Sequence, residues 1–246
     1  MDYGKDFKKW ALSKGISSMN LDYYNQQVEA SRTPYILEER EMRMTQMDVF
    51  SRMLMDRQLF ITGGVDQNMA DITQAQLLFL ESLDSNRDIT MLISSPGGSV
   101  LAGLSIIDTM NYIKPDVATI NLGMAASMGS CLLSSGTKGK RSSLISSRVM
   151  LHHVSSGTGG VIDDQRVTLM ESEKYNYLLF QILSKNCGKS FEKVHDDSMR
   201  DLWFNSQEAL EYGLIDEIIG LDKSPGIDQL MEGFDTYYDK YVLKRP

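Results

Sequence analysis

The sequence predicts an α/β fold in which repeated βαβ units form a largely parallel sheet covered by helices. Short apolar, β-rich runs alternate with amphipathic segments of roughly 10 to 14 residues, which is the pattern of such units. Two glycine turns, at 97–98 and at 123–129, each follow one of these strands and lead into a helix. Because ligands bind at the carboxyl ends of the strands in such sheets, both turns are expected to line one crevice.

The elements of the first half follow from the spacing of apolar residues and from the turns between them. In chain order we expect a short helix at 49–54, strands at 58–62, 89–93 and 116–121, helices at 71–83 and 100–110 between them, and a helix from Ser127 that ends before Gly136. Strands and helices alternate, so that a crossover helix joins each pair of neighbouring strands.

The second half contributes a further strand at 148–153 and a long helix over about 164–185 that stops at Gly188. The remaining expected elements are a helix at 190–197 capped by Ser190, a helix capped by Ser206 and closed by Gly213, and a strand-like run at 214–219. The apolar face of the long helix needs a cover, which is either its own sheet or another subunit.

The chain divides by composition into three parts. Residues 1–46 are polar and charged and are expected to form an arm or short helices, with a disordered tail as the alternative for residues 1–30. Residues 47–222 carry the alternating pattern and are expected to form one globular domain. Residues 223–246 are a C-terminal tail to which the pattern assigns no element.

Composition and charge exclude several classes of function. Of the 246 residues, 42% are apolar, and the net charge of -8 argues against nucleic acid or an anionic membrane as the main partner. The start of the chain is charged where a secretion signal needs an apolar core, and no apolar run is long enough for a membrane span, so a cytoplasmic protein is expected. The two cysteines, Cys131 and Cys187, are too few for a disulfide framework and are expected to be reduced.

The sequence indicates no cofactor and no metal. The histidines and aspartates lack the spacing of zinc ligands. The stretch 136–141 lacks the spacing of a phosphate-binding loop, so we do not expect the chain itself to hydrolyse ATP.

The turn at 123–129 places Ser127 where a strand passes into a helix. Backbone N–H groups at the start of a helix have no partner within the helix. A serine hydroxyl at this point can attack a carbonyl, and the N–H of Met128 can receive the resulting oxyanion. The alternative is that the small residues only allow the helix to pack closely on the sheet.

Nucleophilic catalysis by serine also needs a base and a group that orients the base. His152 and His153 follow a strand, so one of them should face the crevice and the other should face away. Three aspartates could orient an imidazole, namely Asp196, Asp197 and Asp201. From these residues alone, a structural histidine and solvated carboxylates remain alternatives.

The combination of these stretches resembles the proteolytic subunit of the ATP-dependent Clp protease, a family with the ClpP/crotonase fold. The resemblance extends over about 47–220 and implies a strand-plus-helix handle that protrudes from the βαβ units. The stretches that carry it, in order, are 47–52, 94–99, 123–129, 136–141, 147–152, 200–201 and 208–216.

The resemblance implies a serine endopeptidase whose site residues can be named. Ser127 is then the nucleophile, His152 the base and Asp201 the acid that orients the base. The N–H groups of Gly98 and Met128 would form the oxyanion hole.

The resemblance also implies how substrate binds. An unfolded polypeptide would lie as an added strand between the Gly97–Gly98 segment and the handle strand that begins near Val154, held by backbone hydrogen bonds.

The resemblance further implies an assembly. The handle, at 157–185, would join two heptameric rings of identical subunits face to face, and an AAA+ unfoldase would feed chains through an axial pore lined by about 36–46. Part of the N-terminal arm would be removed by self-processing.

The chain departs from the family pattern at several positions. His153 and Val154 stand where Gln-Pro is usual, which predicts a looser start of the handle strand. Met199 replaces an acidic residue that helps to pair the rings. Thr90 and Ser142 replace aromatic residues of the pocket that receives the unfoldase, which predicts weaker docking.

Two other functions are compatible with the fold. A non-catalytic ring subunit is one, and it requires that the serine, histidine and aspartate be inactive. An acyl-CoA enzyme of the crotonase type is the other, but it needs no serine at the turn and usually lacks the histidine, and both are present here.

Overall fold

The computed structural model describes Lys9, Leu12, Ser13 and residues 35–40 and 43–242. The strands are β1 (Tyr35–Arg40), β2 (Arg43–Asp48), β3 (Gln58–Val65), β4 (Ile89–Gly98), β5 (Val117–Ala126), β6 (Arg141–Leu144), β7 (Arg148–Leu151), β8 (Leu202–Phe204) and β9 (Glu217–Ile219). The helices are α1 (Val49–Met55), α2 (Gln67–Leu83), α3 (Val100–Tyr112), α4 (Met128–Ser134), α5 (Ile162–Cys187), α6 (Phe191–Asp197), α7 (Ser206–Tyr212), α8 (Ile227–Leu230) and α9 (Phe234–Tyr241).

The central sheet has seven strands, and its main path runs β3-β4-β5-β6-β9. Every pair along this path is parallel, as the alternating pattern predicts. β5 pairs with β6 at 119–121 and then with β7 at 124–126, and β8 adds to β7 in the antiparallel sense. The predicted α/β fold with a largely parallel sheet is therefore confirmed.

The core lies between the central strands and the helices that cover them. Five side chains of this layer are fully buried, namely Ile61 of β3, Met91 and Ile93 of β4, Ile106 of α3 and Leu132 of α4. Burial of one such side chain contributes about 1.5–3 kcal/mol. The strand ends thus project from a well-buried layer.

The strands run further than the sequence predicted, because glycines that were interpreted as turns lie within the sheet. β4 continues through Gly97 and Gly98, which pair with Gly64 and Val65 of β3. A Cβ at Gly98 would lie 2.3 Å from the carbonyl oxygen of Val65. The glycine turn at 97–98 is therefore the end of a strand that packs tightly against its neighbour.

Several elements of the second half differ from expectation. β6 and β8 were missed, because one is polar and the other has only three residues. Asn205, not Ser206, caps α7, and it forms a capping box with Glu208. The last strand is confined to β9 rather than spanning 214–219.

The two termini are also more structured than expected where they are described. β1 and β2 pair in the antiparallel sense, so residues 35–40 and 43–48 form strands instead of short helices. The alternative of a disordered tail at 1–30 falls almost wholly outside the described residues. The C-terminal tail contains α8 and α9, and residues 243–246 lie outside the description.

The long helix α5 is confirmed and ends at Gly188, which adopts the left-handed conformation. Its C-terminal half packs against α4 and α6, and its side chains Leu179, Phe180 and Leu183 are buried in the core. Its N-terminal half exposes several apolar side chains. These are Ile162, Val167, Leu169 and Met170.

The strand expected before this helix is absent. Residues 152–159 have no regular structure and connect β7 to α5. The handle therefore consists of a helix and an irregular segment in this chain.

Among the described residues, no helix combines the length and apolar character needed to cross a membrane.

Candidate active site

Ser127 lies in a strained turn between β5 and α4. Its backbone has φ 55 and ψ -123, an unusual conformation for a residue with a Cβ. The N–H of Ser127 donates to the carbonyl oxygen of Met150 at 2.9 Å, which ties the turn to β7. Ser127 is the residue before the helix rather than its first residue, so its hydroxyl projects from the turn.

Gly97 allows the turn to approach β4. Gly97 has φ +93, and a Cβ there would lie 2.6 Å from the Cβ of Ser127 and 2.9 Å from the backbone nitrogen of Met128. Only a residue without a side chain fits this gap. The two glycine turns expected to line one crevice are thus in contact.

The imidazole of His152 faces the serine. His152 Nε2 and Ser127 Oγ are 2.7 Å apart, a distance at which the hydroxyl can donate to the ring nitrogen. His153 faces away, with its Nε2 3.2 Å from the carbonyl oxygen of His195 and its ring against Phe180. The sequence predicted that the two histidines would point to opposite sides, and they do.

Asp201 lies on the side of His152 opposite to Ser127, but it makes no hydrogen bond to the imidazole. Its Oδ1 is 3.7 Å from His152 Nδ1, which is too long for a hydrogen bond, and its side chain is 66% exposed. The other two aspartates have different partners. Asp196 is 3.0 Å from His195 Nδ1, and Asp197 accepts from Lys193 and Tyr212.

The expected oxyanion donors flank the same space. Met128 is the first residue of α4, so its N–H has no carbonyl one turn earlier in that helix. Gly98 ends β4, and both residues line a cavity of about 50 Å³ together with Ser127 and His152.

The lining of the cavity beyond this rim is mixed. Its apolar walls include Val100, Leu151, Leu179, Phe180 and Leu183. Its polar lining includes Ser130 and Ser155.

Asn176 also lines the cavity and was missed by sequence reasoning. Its Oδ1 accepts from the N–H of Val154 at 2.6 Å. A signal was present in the sequence, because Asn176 precedes Leu179, Phe180 and Leu183 at helical spacing and is thus an amide on an apolar stripe.

Neither thiol competes with the serine as a nucleophile. Cys131 lies in the wall of the cavity, and burial raises its pKa to about 12. Burial likewise raises the pKa of Cys187 to about 11. Both cysteines are unpaired and buried, and the sequence had predicted a buried thiol for Cys131 alone. Among the residues that the structure describes, no group of His, Cys, Asp and Glu is arranged to hold a metal ion.

A serine hydroxyl paired with an imidazole, at the strand ends of a parallel sheet and beside two backbone donors, is the arrangement of a serine-type peptidase. The family model described as Clp protease matches residues 39–222. The chain belongs to the Clp protease family.

Curated relatives agree with this assignment over nearly their whole length. The chain is 49% identical over 215 residues to the ATP-dependent Clp protease proteolytic subunit of Bacteroides fragilis (strain YCH46), which covers 87% of this chain and 98% of the relative. The identically named protein of Porphyromonas gingivalis (strain ATCC BAA-308 / W83) is 47% identical over 87% of this chain and 97% of its own length. The identically named protein of Streptococcus pneumoniae (strain Hungary19A-6) is 48% identical over 76% of this chain and 96% of its own length.

Proposed function

We propose that the chain is the serine endopeptidase subunit of a self-compartmentalised, ATP-dependent protease, and that it cleaves unfolded polypeptides to short peptides. The observation that carries the proposal is the 2.7 Å distance between His152 Nε2 and Ser127 Oγ at a strained turn. The relatives' shared name, proteolytic subunit, supports the same function.

In the proposed reaction, Ser127 Oγ attacks the scissile carbonyl carbon while its proton passes to His152 Nε2. The negative charge that forms on the carbonyl oxygen accepts hydrogen bonds from the N–H groups of Gly98 and Met128. One such donor contributes about 10²–10³ in rate. His152 then gives the proton to the leaving amine, and water hydrolyses the acyl-enzyme with the same base.

Asp201 is the orienting acid of the proposal. Its Oδ1 needs to move roughly 1 Å closer to His152 Nδ1 to form a hydrogen bond. The exposed Asp201 side chain can make this movement by rotation. We expect the movement to accompany substrate binding or ring assembly.

Substrate is proposed to add as a strand beside Gly97 and Gly98 on one side and Val154 on the other. The N–H of Val154 is already taken by Asn176, so Val154 offers its carbonyl oxygen. Backbone pairing of this kind accepts many sequences, which suits degradation of unfolded chains.

The assembly belongs to the proposal as well. Residues 47–222 form the protease domain, α5 joins two stacked heptameric rings, and the paired strands β1 and β2 lie at the axial pore. An AAA+ unfoldase is the proposed partner. Its docking is expected to be weak, because Thr90 and Ser142 offer small polar groups. The cytoplasmic location also stays a prediction.

The family assignment favours this function over the acyl-CoA alternative, since the relatives are named proteolytic subunits. An experiment distinguishes the proposed active peptidase from the alternative, an inactive ring subunit. The wild-type chain is treated with a fluorescent fluorophosphonate and then run on a sizing column. We expect labelling of the assembled species at Ser127.

Ser127→Ala is the matched variant for this experiment. It should assemble like the wild type, take no label and cleave no fluorogenic peptide, because the attacking oxygen is absent. His152→Ala should assemble and lose labelling by about three orders of magnitude or more. Peptide cleavage by Ser127→Ala at the wild-type rate would remove Ser127 from the mechanism.

A further inference from the structure

The segment that follows His152 has no strand or helix to hold it. Regular structure ends at Leu151, and residues 152–159 cross from the sheet to α5. Asp201 does not fix the imidazole either, since the 3.7 Å separation exceeds a hydrogen bond. The short distance from His152 Nε2 to Ser127 Oγ therefore needs another explanation.

Two backbone hydrogen bonds fix the two residues after His152. The N–H of His153 donates to the carbonyl oxygen of Ser198 at 3.2 Å. The N–H of Val154 donates to Oδ1 of Asn176 at 2.6 Å. The second bond is the shorter one, and its acceptor is a side chain that a single substitution can remove.

Asn176 is well placed to act as a fixed acceptor. It lies one turn before Leu179 and Phe180, which are buried in the core and fix the position of α5. Val154 is partly buried and packs against the same core. A partly buried N–H that loses its acceptor is unfavourable, so the segment would shift to regain a partner.

We propose that Asn176 is a positioning residue that holds the chain after β7 so that His152 faces Ser127. Asn176 acts through Val154 and does not touch the reacting atoms. This inference rests on the proposed serine peptidase function. It assigns to α5 a role in catalysis in addition to the proposed role in ring assembly.

The first test compares Asn176→Leu, which removes the acceptor at nearly constant shape, with Asn176→Asp, which keeps an acceptor oxygen. Each variant is assayed for the rate of labelling by a fluorophosphonate and for kcat and KM on a fluorogenic peptide. We expect Asn176→Leu to lower the labelling rate and kcat by about five- to tenfold with little change in KM. Asn176→Asp should stay within about threefold of the wild type.

Gln181→Leu is the matched control, because it makes the same kind of change at an exposed position of α5. It should leave labelling and kcat unchanged. All variants are compared in the assembled fraction from a sizing column, so that loss of assembly is not mistaken for loss of positioning.

A double-mutant cycle tests the mechanism through Val154. Val154→Pro removes the N–H that requires an acceptor. In that background, Asn176→Leu should change the labelling rate by less than about twofold, because the bond is already gone. An equal loss in both backgrounds would mean that Asn176 acts by another route and would overturn the inference.

Two further outcomes decide the matter. Wild-type labelling by Asn176→Leu would refute the positioning role, and faster labelling would show that the bond restrains the site instead of aligning it. A wild-type chain that takes no label would overturn the proposed function itself, which is a different failure from the loss of the inference alone.

Discussion

At the scale of single residues, the site depends on how closely two backbones approach. Ser127 keeps a conformation that costs about 1–3 kcal/mol, and the surrounding contacts hold it there. Gly97 lies directly against it, and the N–H of Met128 lies beside both. Strain and close packing are thus concentrated at the proposed nucleophile.

Gly97→Ala should therefore disable the site. The added methyl group would lie 2.6 Å from the Cβ of Ser127 at a backbone φ of +93, so the turn must shift. We expect peptide cleavage to fall by about 100-fold or more and unfolding free energy to fall by about 1–3 kcal/mol. Gly139→Ala also changes a glycine with positive φ but meets no atom within 4 Å, so it should keep activity. An equal loss of peptide cleavage in both variants would show that the positive-φ backbone conformation, and not the contact with Ser127, explains the effect.

Sequence reasoning predicted the positions of residues correctly where these positions follow from local order. Ser127 is placed by the turn that contains it, and His152 is placed by alternation along a strand. Asp201 and Asn176 depend on tertiary distances. Whether Asp201 lies at 2.8 or 3.7 Å from an imidazole depends on an exposed segment, and local sequence does not encode that distance.

At the scale of elements, one ion pair joins the late strands to the helices around the site. Arg141, at the start of β6, donates from Nε and Nη2 to both oxygens of Asp216 at 2.8 and 2.6 Å. Its Nη1 donates to the carbonyl oxygens of Ser134 and Asn186, at the ends of α4 and α5. Burial alone would raise the pKa of Asp216, but hydrogen bonds from Arg141 and Lys138 outweigh it and hold that pKa well below its usual range.

Asp216→Asn should destabilise the fold in a pH-dependent way. The Arg141 side chain is 1% exposed, so loss of its partner should cost on the order of 3 kcal/mol at pH 7. Because the folded-state pKa is depressed, this stability is present above the unfolded pKa of about 4 and is lost as pH falls towards the folded pKa. Thermal unfolding from pH 7 to pH 3 should show the wild type and variant converging.

Asp88→Asn is the control for that measurement. Asp88 pairs with Lys140 at the surface, where both side chains are more than a third exposed. Its loss should cost much less stability than Asp216→Asn, because solvent screens an exposed ion pair. A cost as large as that of Asp216→Asn would mean that burial does not distinguish the two pairs.

The elements themselves were predictable where apolar periodicity runs long. α2, α3 and α5 follow from it, and so do the first halves of β4 and β5. Strand ends were placed too early, because Gly97, Gly98 and Gly123 favour turns locally but lie within β4 and β5. The handle strand did not form, since residues 152–159 pair with none of the strands that the structure describes.

At the scale of the whole molecule, α5 is half packed and half exposed. Its C-terminal half packs against α4 and α6 through Leu179, Phe180 and Leu183, whereas its N-terminal half exposes Ile162, Val167, Leu169 and Met170. The exposed half is thus available for another subunit, which is one of the two covers that the sequence left open.

Met170→Glu should separate the proposed rings. Met170 is 64% exposed on the N-terminal half of α5, and a carboxylate there would be desolvated without a partner on association. We expect the sizing column to show a species of about half the wild-type mass, with the fold unchanged by circular dichroism. Lys185→Glu, at an exposed position of the anchored half, should leave the mass unchanged. An unaltered mass for Met170→Glu would place the ring contact elsewhere.

The two buried thiols have a practical consequence. Cys131 and Cys187, the chain's own cysteines, stay protonated at neutral pH because burial raises both pKa values. Maleimide dyes therefore react little with these two native cysteines while the chain is folded. A cysteine introduced on the solvent side of α5 can carry a fluorophore, and energy transfer between two such subunits would follow assembly in real time.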